Sequence, residues 1–299
     1  MPIPQSWLKS AVINTNKPKD SIINVLRKRL GGHEDGRDRG TVHASDITKP
    51  HFCPRHWAFL DMKGKELGEP SYVPTALQIT YDIGRMTAKL LVEEWAGDTV
   101  WGNWRCIRCG QHRTMCKKPT DSCKDFKSAC IWEYQEVAIE APEYGFSGSF
   151  DALFDVGVPK LLITEIKIMK PEDWEVLLVP LPEHRLRTNL YMKLLAASES
   201  PYKDKINLHE ARVLYISRAY GKKHPEYQEV LPLKEFVVER NDGSLHDCLK
   251  RVQQLKVFRE TKVMPSGICN TALDKYAKLC SSCKECFSGQ HPAQQPPLV

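Results

Sequence analysis

No stretch of the 299 residues stays apolar over the roughly 18–20 positions that a membrane-spanning helix requires, so no membrane span is expected. The first twenty residues, MPIPQSWLKSAVINTNKPKD, lack both a continuous apolar core and a small-residue cleavage site. A secretory signal is therefore not expected either, and the chain reads as intracellular. No internal repeat is visible, so the fold is not built by stacking one unit. What the chain does have is an ordinary globular composition, 41% hydrophobic and 27% charged. Lys plus Arg exceed Asp plus Glu by 43 to 37, a net +6 with a pI near 8.7, which suits a polyanionic partner.

Cysteine is plentiful. In a reducing compartment clustered cysteines are more often metal ligands than disulfides. The 11 cysteines fall at 106–130 and 269–286, with Cys53 and Cys248 apart. Around them the sequence divides into an N-terminal extension (1–40), a helical segment carrying Cys53 (41–100), a Cys-rich insert (101–132), a core (133–243), a C-terminal helix with its cysteines (244–287) and a tail (288–299). The extension holds the periodic stretch SIINVLRKRL and the polar loop GGHEDGRDRG, and the Pro- and Gln-rich tail reads as disordered. Helical spacing of apolar residues predicts helices over 75–98, 182–198 and 244–265. The insert shows little periodicity and reads as a metal-bound loop. IWEYQEVAIEA, GFSGSFDALFDV and LLITEIKIM form a three-stranded antiparallel meander, and EARVLYISRAY and EFVVERN add two strands. The order implies an α/β or α+β layer with a mixed central sheet.

LLITEIKIM (161–169) carries two charges inside an apolar strand, and alternation puts Glu165 and Lys167 on one face. Burying charge is costly unless it is paired or bound to a metal. The GVPK turn places Asp151 across from residues 165–167 on that same face. Two carboxylates, the Ile166 carbonyl and a lysine then converge, a donor set for Mg²⁺ or Mn²⁺, with Lys167 orienting or activating a water. That is the chemistry of metal-assisted phosphodiester hydrolysis.

The pattern GFSGSFD (145–151) followed by Glu165-Ile-Lys167 resembles the PD-(D/E)xK nuclease superfamily, in its RecB-like branch. The resemblance implies a restriction-endonuclease-like core. It gives Glu136 the place of a glutamate ahead of the aspartate strand. Arg187 and Tyr191 take the place of the Q-x-x-x-Y pair that reaches substrate from the following helix, with arginine for glutamine. Ala88, in GRMTA (84–88), stands where the family carries a metal-ligating histidine. HFCPRHW (51–57) before the core and CSSCKEC (280–286) after it resemble the iron–sulfur members, including AddB and the CRISPR-adaptation nucleases. This implies a 4Fe–4S cluster on Cys53, Cys280, Cys283 and Cys286, with Cys269 as an alternate, joining the two ends of the domain. The other reading is zinc on Cys269, Cys280, Cys283 and Cys286.

In the insert, Cys106 and Cys109 open a C-x2-C-G knuckle of the kind that holds Zn²⁺. The second pair comes from Cys116, Cys123 and Cys130, with Cys123 and Cys130 preferred. The basic residues around it suit a finger against DNA. The expected function is a metal-dependent DNA exonuclease, working on free ends in recombination, repair or replication, alongside a partner protein of such a pathway. The likeness to phage-encoded nucleases places it in bacterial or phage-infected cytoplasm. The alternative is a weakened nuclease fold serving as a DNA-binding or scaffold module. A duplex-reading regulator has little support, because no recognition helix accompanies the cysteines.

Overall fold

The computed structural model describes residues 42–63, 75–125, 128–141, 146–198, 203–218 and 232–288. SIINVLRKRL, GGHEDGRDRG and the tail beyond residue 288 lie outside them. The chain divides into two units, residues 1–38 with 68–83 and residues 39–67 with 84–299. Of the first unit, residues 75–83 are described and are helical.

The larger unit is mixed α/β with a mixed central sheet flanked by helices. It opens with β1 (Val42–His43), α1 (Ala44–Ile47) and α2 (Pro54–Lys63). Helix α3 (Thr75–Leu90) passes into a π-helical turn over Leu91–Trp95, where the Ala96 N–H bonds the Leu91 carbonyl at 2.9 Å. The periodicity over 75–98 thus covers an α-helix and a wider turn. That turn aims the buried Glu93 at the Tyr134 N–H, 2.8 Å away. Strands β2 (Val100–Cys106), β3 (His112–Cys116), β4 (Trp132–Gln135), β5 (Val137–Ala141), β6 (Phe146–Phe150), β7 (Ala152–Phe154) and β8 (Leu162–Met169) follow. Helices α4 (Pro171–Glu175) and α5 (Pro182–Ala197) cross over to β9 (Glu210–Ser217) and β10 (Leu233–Glu239), and α6 (His246–Thr261) and α7 (Cys283–Phe287) close the order.

The large sheet runs β10-β9-β8-β7-β2-β3, with β4 also on β2. β8 and β9 are parallel and its other pairs antiparallel. Parallel pairing needs a long crossover, which α4 and α5 supply. Both begin with proline at the first helical position, where no backbone donor is lost. β8 is apolar along most of its length because a parallel, central strand is covered on both faces. Its neighbours in the core include Leu153, Leu190, Leu194, Leu195 and Phe258.

Two sequence readings need correction. The meander is not one sheet, because single residues break its first two strands. Glu136 separates β4 from β5, and Asp151 separates β6 from β7. The β5–β6 hairpin joins β1 in a separate three-stranded sheet, whereas β4 and β7 stay in the large one. An extra residue re-aims a strand much as a bulge does. The cysteine-rich stretch is also more than a loop, since it contributes β2 and β3 to the large sheet and is followed directly by β4.

Candidate active site and cysteine centres

The break after β6 puts Asp151 at the corner where the chain changes sheets. β7 pairs β8 with Ala152 opposite Thr164 and Leu153 opposite Ile163, a register that continues to Asp151 opposite Glu165. The corner also frees a lone pair for an unusual partner, since the Ile166 N–H donates to Asp151 Oδ2 at 2.6 Å.

Lys167 closes the group. Its Nζ lies 2.7 Å from Glu165 Oε1, 2.9 Å from the Ile166 carbonyl oxygen and 3.4 Å from Asp151 Oδ2. A single cationic nitrogen thus touches all three oxygens expected to ligate a divalent ion. The ammonium is a stand-in cation, and the donor set, two carboxylates and a carbonyl, is of the hard-oxygen type that Mg²⁺ or Mn²⁺ takes. The residues present fit such an ion.

From α5, Arg187 NH1 donates to Glu165 Oε1 at 2.5 Å. Glu165 is 1% exposed. Burial alone would raise its pKa, but Lys167 and Arg187 outweigh that and hold it below the usual carboxylate range. Asp151 goes the other way, pushed up to about 6 by burial and by the Glu165 charge against the pull of Lys167. Burial would lower Lys167, yet the two carboxylates raise it. Lys167 as placed is therefore an ammonium donor rather than a base.

The other expected residues fall nearby in different roles. Glu136 sits exposed at its own corner and accepts a close hydrogen bond from Ser149 Oγ. Among the described residues it does not join Asp151 and Glu165 at one-ion spacing. Tyr191 is 3% exposed, its ring edge-on to Phe150 at 6.1 Å, so it packs α5 against β6. Ala88 packs against an apolar cluster that includes Leu91, Val100 and Ile166 and offers no ligand.

Sequence reasoning passed over His184, although the helix motif contains it. Burial, then Lys167, pushes it down to about 4, so it is neutral. Tyr215 Oη accepts from the Leu181 N–H at 2.9 Å and lies 2.8 Å from His184 Nδ1. The only sequence signal for His184 was a place one helical turn before Arg187.

The insert's cysteines converge as preferred from their spacing. The sulfurs of Cys106, Cys109, Cys123 and Cys130 all lie within 4.8 Å of one another. The knuckle turns at Gly110, in the left-handed region at φ 67°, with its N–H on the Cys106 carbonyl. The second pair is set by the Cys123 N–H on the Ser128 carbonyl and the Cys130 N–H on the Asp121 carbonyl. Burial raises the Cys106 thiol, but the Cys109 and Arg108 N–H groups outweigh it and bring it to about 6. Cys130 is pushed up to about 12 by burial and the neighbouring thiols. Four thiolates this close need a cation, and the cluster can hold a metal ion.

The remaining cysteines behave differently. Cys53, Cys269, Cys280, Cys283 and Cys286 line a cavity of about 300 Å³. Among the described residues no three of them reach single-ion spacing, so the tetrahedral zinc arrangement on Cys269, Cys280, Cys283 and Cys286 is not formed. Burial raises the Cys280 and Cys269 thiols, and the neighbouring Cys53 and Cys286 raise both further. The Arg55 guanidinium donates to Cys286 Sγ at 3.7 Å. Thiolates around a space wider than one ion suit a polynuclear cluster.

No family model matches the chain, and no curated protein sequence matches it. Solved structures similar to it over most of its length include the following two. The crystal structure of SSO0001 is 13% identical at a TM-score of 0.40, over 81% of this chain and 88% of that one. An alkaline exonuclease (LHK-Exo) from Laribacter hongkongensis is 14% identical at a TM-score of 0.41, over 79% and 93%. At that similarity the functional reading rests on the chain's own residues.

Proposed function

We propose that the protein is a metal-dependent DNA nuclease that hydrolyses phosphodiester bonds, acting on DNA ends as an exonuclease. The observation that carries this reading is the convergence of Asp151, Glu165, the Ile166 carbonyl and Lys167 on one cation-sized point. Mg²⁺ or Mn²⁺ would be held by Asp151, Glu165 and the Ile166 carbonyl, and when bound supplies Lewis-acid polarisation of the scissile phosphodiester. Lys167 moves aside from the carboxylates to donate to the phosphate or orient the attacking water. Arg187 holds Glu165 charged, Tyr191 fixes the helix that carries Arg187, and Glu136 with Ser149 shapes the adjacent corner. Recombination, repair or replication, in a phage or bacterial setting and beside a partner protein, is the context this chemistry suits.

The four-cysteine knuckle would carry Zn²⁺, and the cavity bounded by Cys53, Cys280, Cys283 and Cys286, with Cys269 close by, a 4Fe–4S cluster. Metal analysis and the visible spectrum of anaerobically purified protein check both.

A second reading, DNA binding without cleavage, is favoured by Ala88 and by carboxylates already satisfied by two cations. End-labelled single- and double-stranded DNA, incubated with Mg²⁺ or Mn²⁺, separates the two. The nuclease degrades DNA, and Lys167→Ala lowers the rate by about 10²–10⁴-fold. Binding without product in the wild type favours the second reading.

A further inference from the structure

The polar face of β2 and its two neighbours is unexplained by the proposed chemistry. Residues paired across strands share a face. Two rungs follow, Glu133–Arg105–His112 and Gln135–Asn103–Thr114. The opposite face is apolar and shut, with Trp104 and Cys106 fully buried. On the open face Arg105, His112 and Thr114 are exposed.

Charge on this face is unevenly satisfied. Glu133, the natural partner of Arg105, is taken by a close ion pair with Lys89 from α3. Arg105 has no carboxylate at ion-pair distance among the described residues. In the second rung Thr114 Oγ1 donates to Asn103 Oδ1 at 2.7 Å, a neutral pair. Residues 101–132 contain seven Lys or Arg against two Asp, five of the chain's six excess positive charges. The face also leads somewhere. One residue past Gln135 is the Glu136 corner, whose charge is close enough to raise Asp151.

We infer that this ladder, anchored by the four-cysteine knuckle, is the track for the phosphate backbone of the DNA strand beyond the scissile bond, with Arg105 and His112 meeting phosphates and Asn103, Thr114 and Gln135 carrying the strand to the carboxylate corner. The inference rests on the nuclease reading and adds where the substrate lies. Charge complementarity selects the occupant, since a polyanion gains from Arg105, which has no carboxylate partner among the described residues, and from the polar rungs beside it. The knuckle then has a positional role, holding the end of β2 that bears Arg105.

Two measurements on the full chain test it. The first is binding of a fluorescent single-stranded oligonucleotide across a salt series. The second is hydrolysis of bis(p-nitrophenyl) phosphate, a diester too small to reach the ladder. Arg105→Ala is expected to weaken oligonucleotide binding several-fold and to reduce the log–log salt slope by about 0.7–0.9, one phosphate contact. Small-diester hydrolysis should stay at the wild-type rate, and Arg105→Lys should restore most of the slope. Lys250→Ala, the same charge change on exposed α6, should do neither. An unchanged slope in Arg105→Ala overturns the inference, as does an equal loss in Lys250→Ala. If the wild type cleaves neither DNA nor the small diester, the nuclease reading fails, while the binding series still decides the ladder.

Discussion

Glu165 keeps its charge at 1% exposure because two cations hold it, and this makes the residue a sensitive point. Arg187→Ala removes one of them. The expected cost is about 1–3 kcal/mol of stability, read by denaturant unfolding. It stays below the roughly 3–5 kcal/mol of an orphaned buried charge because Lys167 remains. Arg187→Gln keeps a donor and should recover part of the loss. His184 gives a pH prediction. Its folded pKa is about 4, below the ordinary 6.5. The unfolded chain therefore binds the extra proton between those values, and stability falls as pH drops from about 6.5 towards 4. In His184→Gln that slope should be shallower, which melting temperatures at pH 7 and pH 5 will show. An identical slope in the two proteins would exclude His184 as a source of acid sensitivity.

At the level of strands and helices, Gly102 is required by what lies across it. A Cβ there would collide with the Tyr134 ring, itself edge-on to Trp104 at 5.4 Å. Gly102→Ala should cost about 1–3 kcal/mol through overpacking. It should also loosen metal retention at the knuckle, measurable as metal content after dialysis. Much of this layer was legible in the sequence. The strand LLITEIKIM, the helix bearing Arg187 and the knuckle cysteines all carried local patterns that tertiary packing kept. The break at Glu136 was missed by reading IWEYQEVAIEA as one strand, although the apolar set passes from even positions, Trp132 and Tyr134, to odd ones, Val137 and Ile139. No such shift marks Asp151, because Phe150 and Ala152 are both buried. There the change of sheet is decided by distant partners, β1 and β2, that periodicity does not report. Lys89 pairing with Glu133 was equally hidden, being a contact across 44 positions.

At the scale of the whole molecule, the cysteines gather in two places. The insert's centre secures one end of the sheet. Stripping its metal with a chelator should lower the melting temperature by several degrees, with Cys106→Ser reproducing the shift. Loss should also follow acidification, because protons compete with the metal for the four thiolates. Beside the second group, direct contacts join residues 50–63 to the C-terminal elements. Arg259 Nε reaches Asp61 at 2.7 Å, Arg251 bonds the Pro50 and Phe52 carbonyls, and Lys63 pairs with Glu285.

Those contacts have a consequence for the order of events on the ribosome. Residues 50–63 are made some two hundred codons before their partners at 251–286. Synthesis proceeds at about 5–20 residues per second, so α2 waits on the order of ten seconds or more without its partners. An incomplete chain thus lacks the closure that the finished protein has. A cell making this protein would carry few active fragments, since truncated products would be left open to proteases.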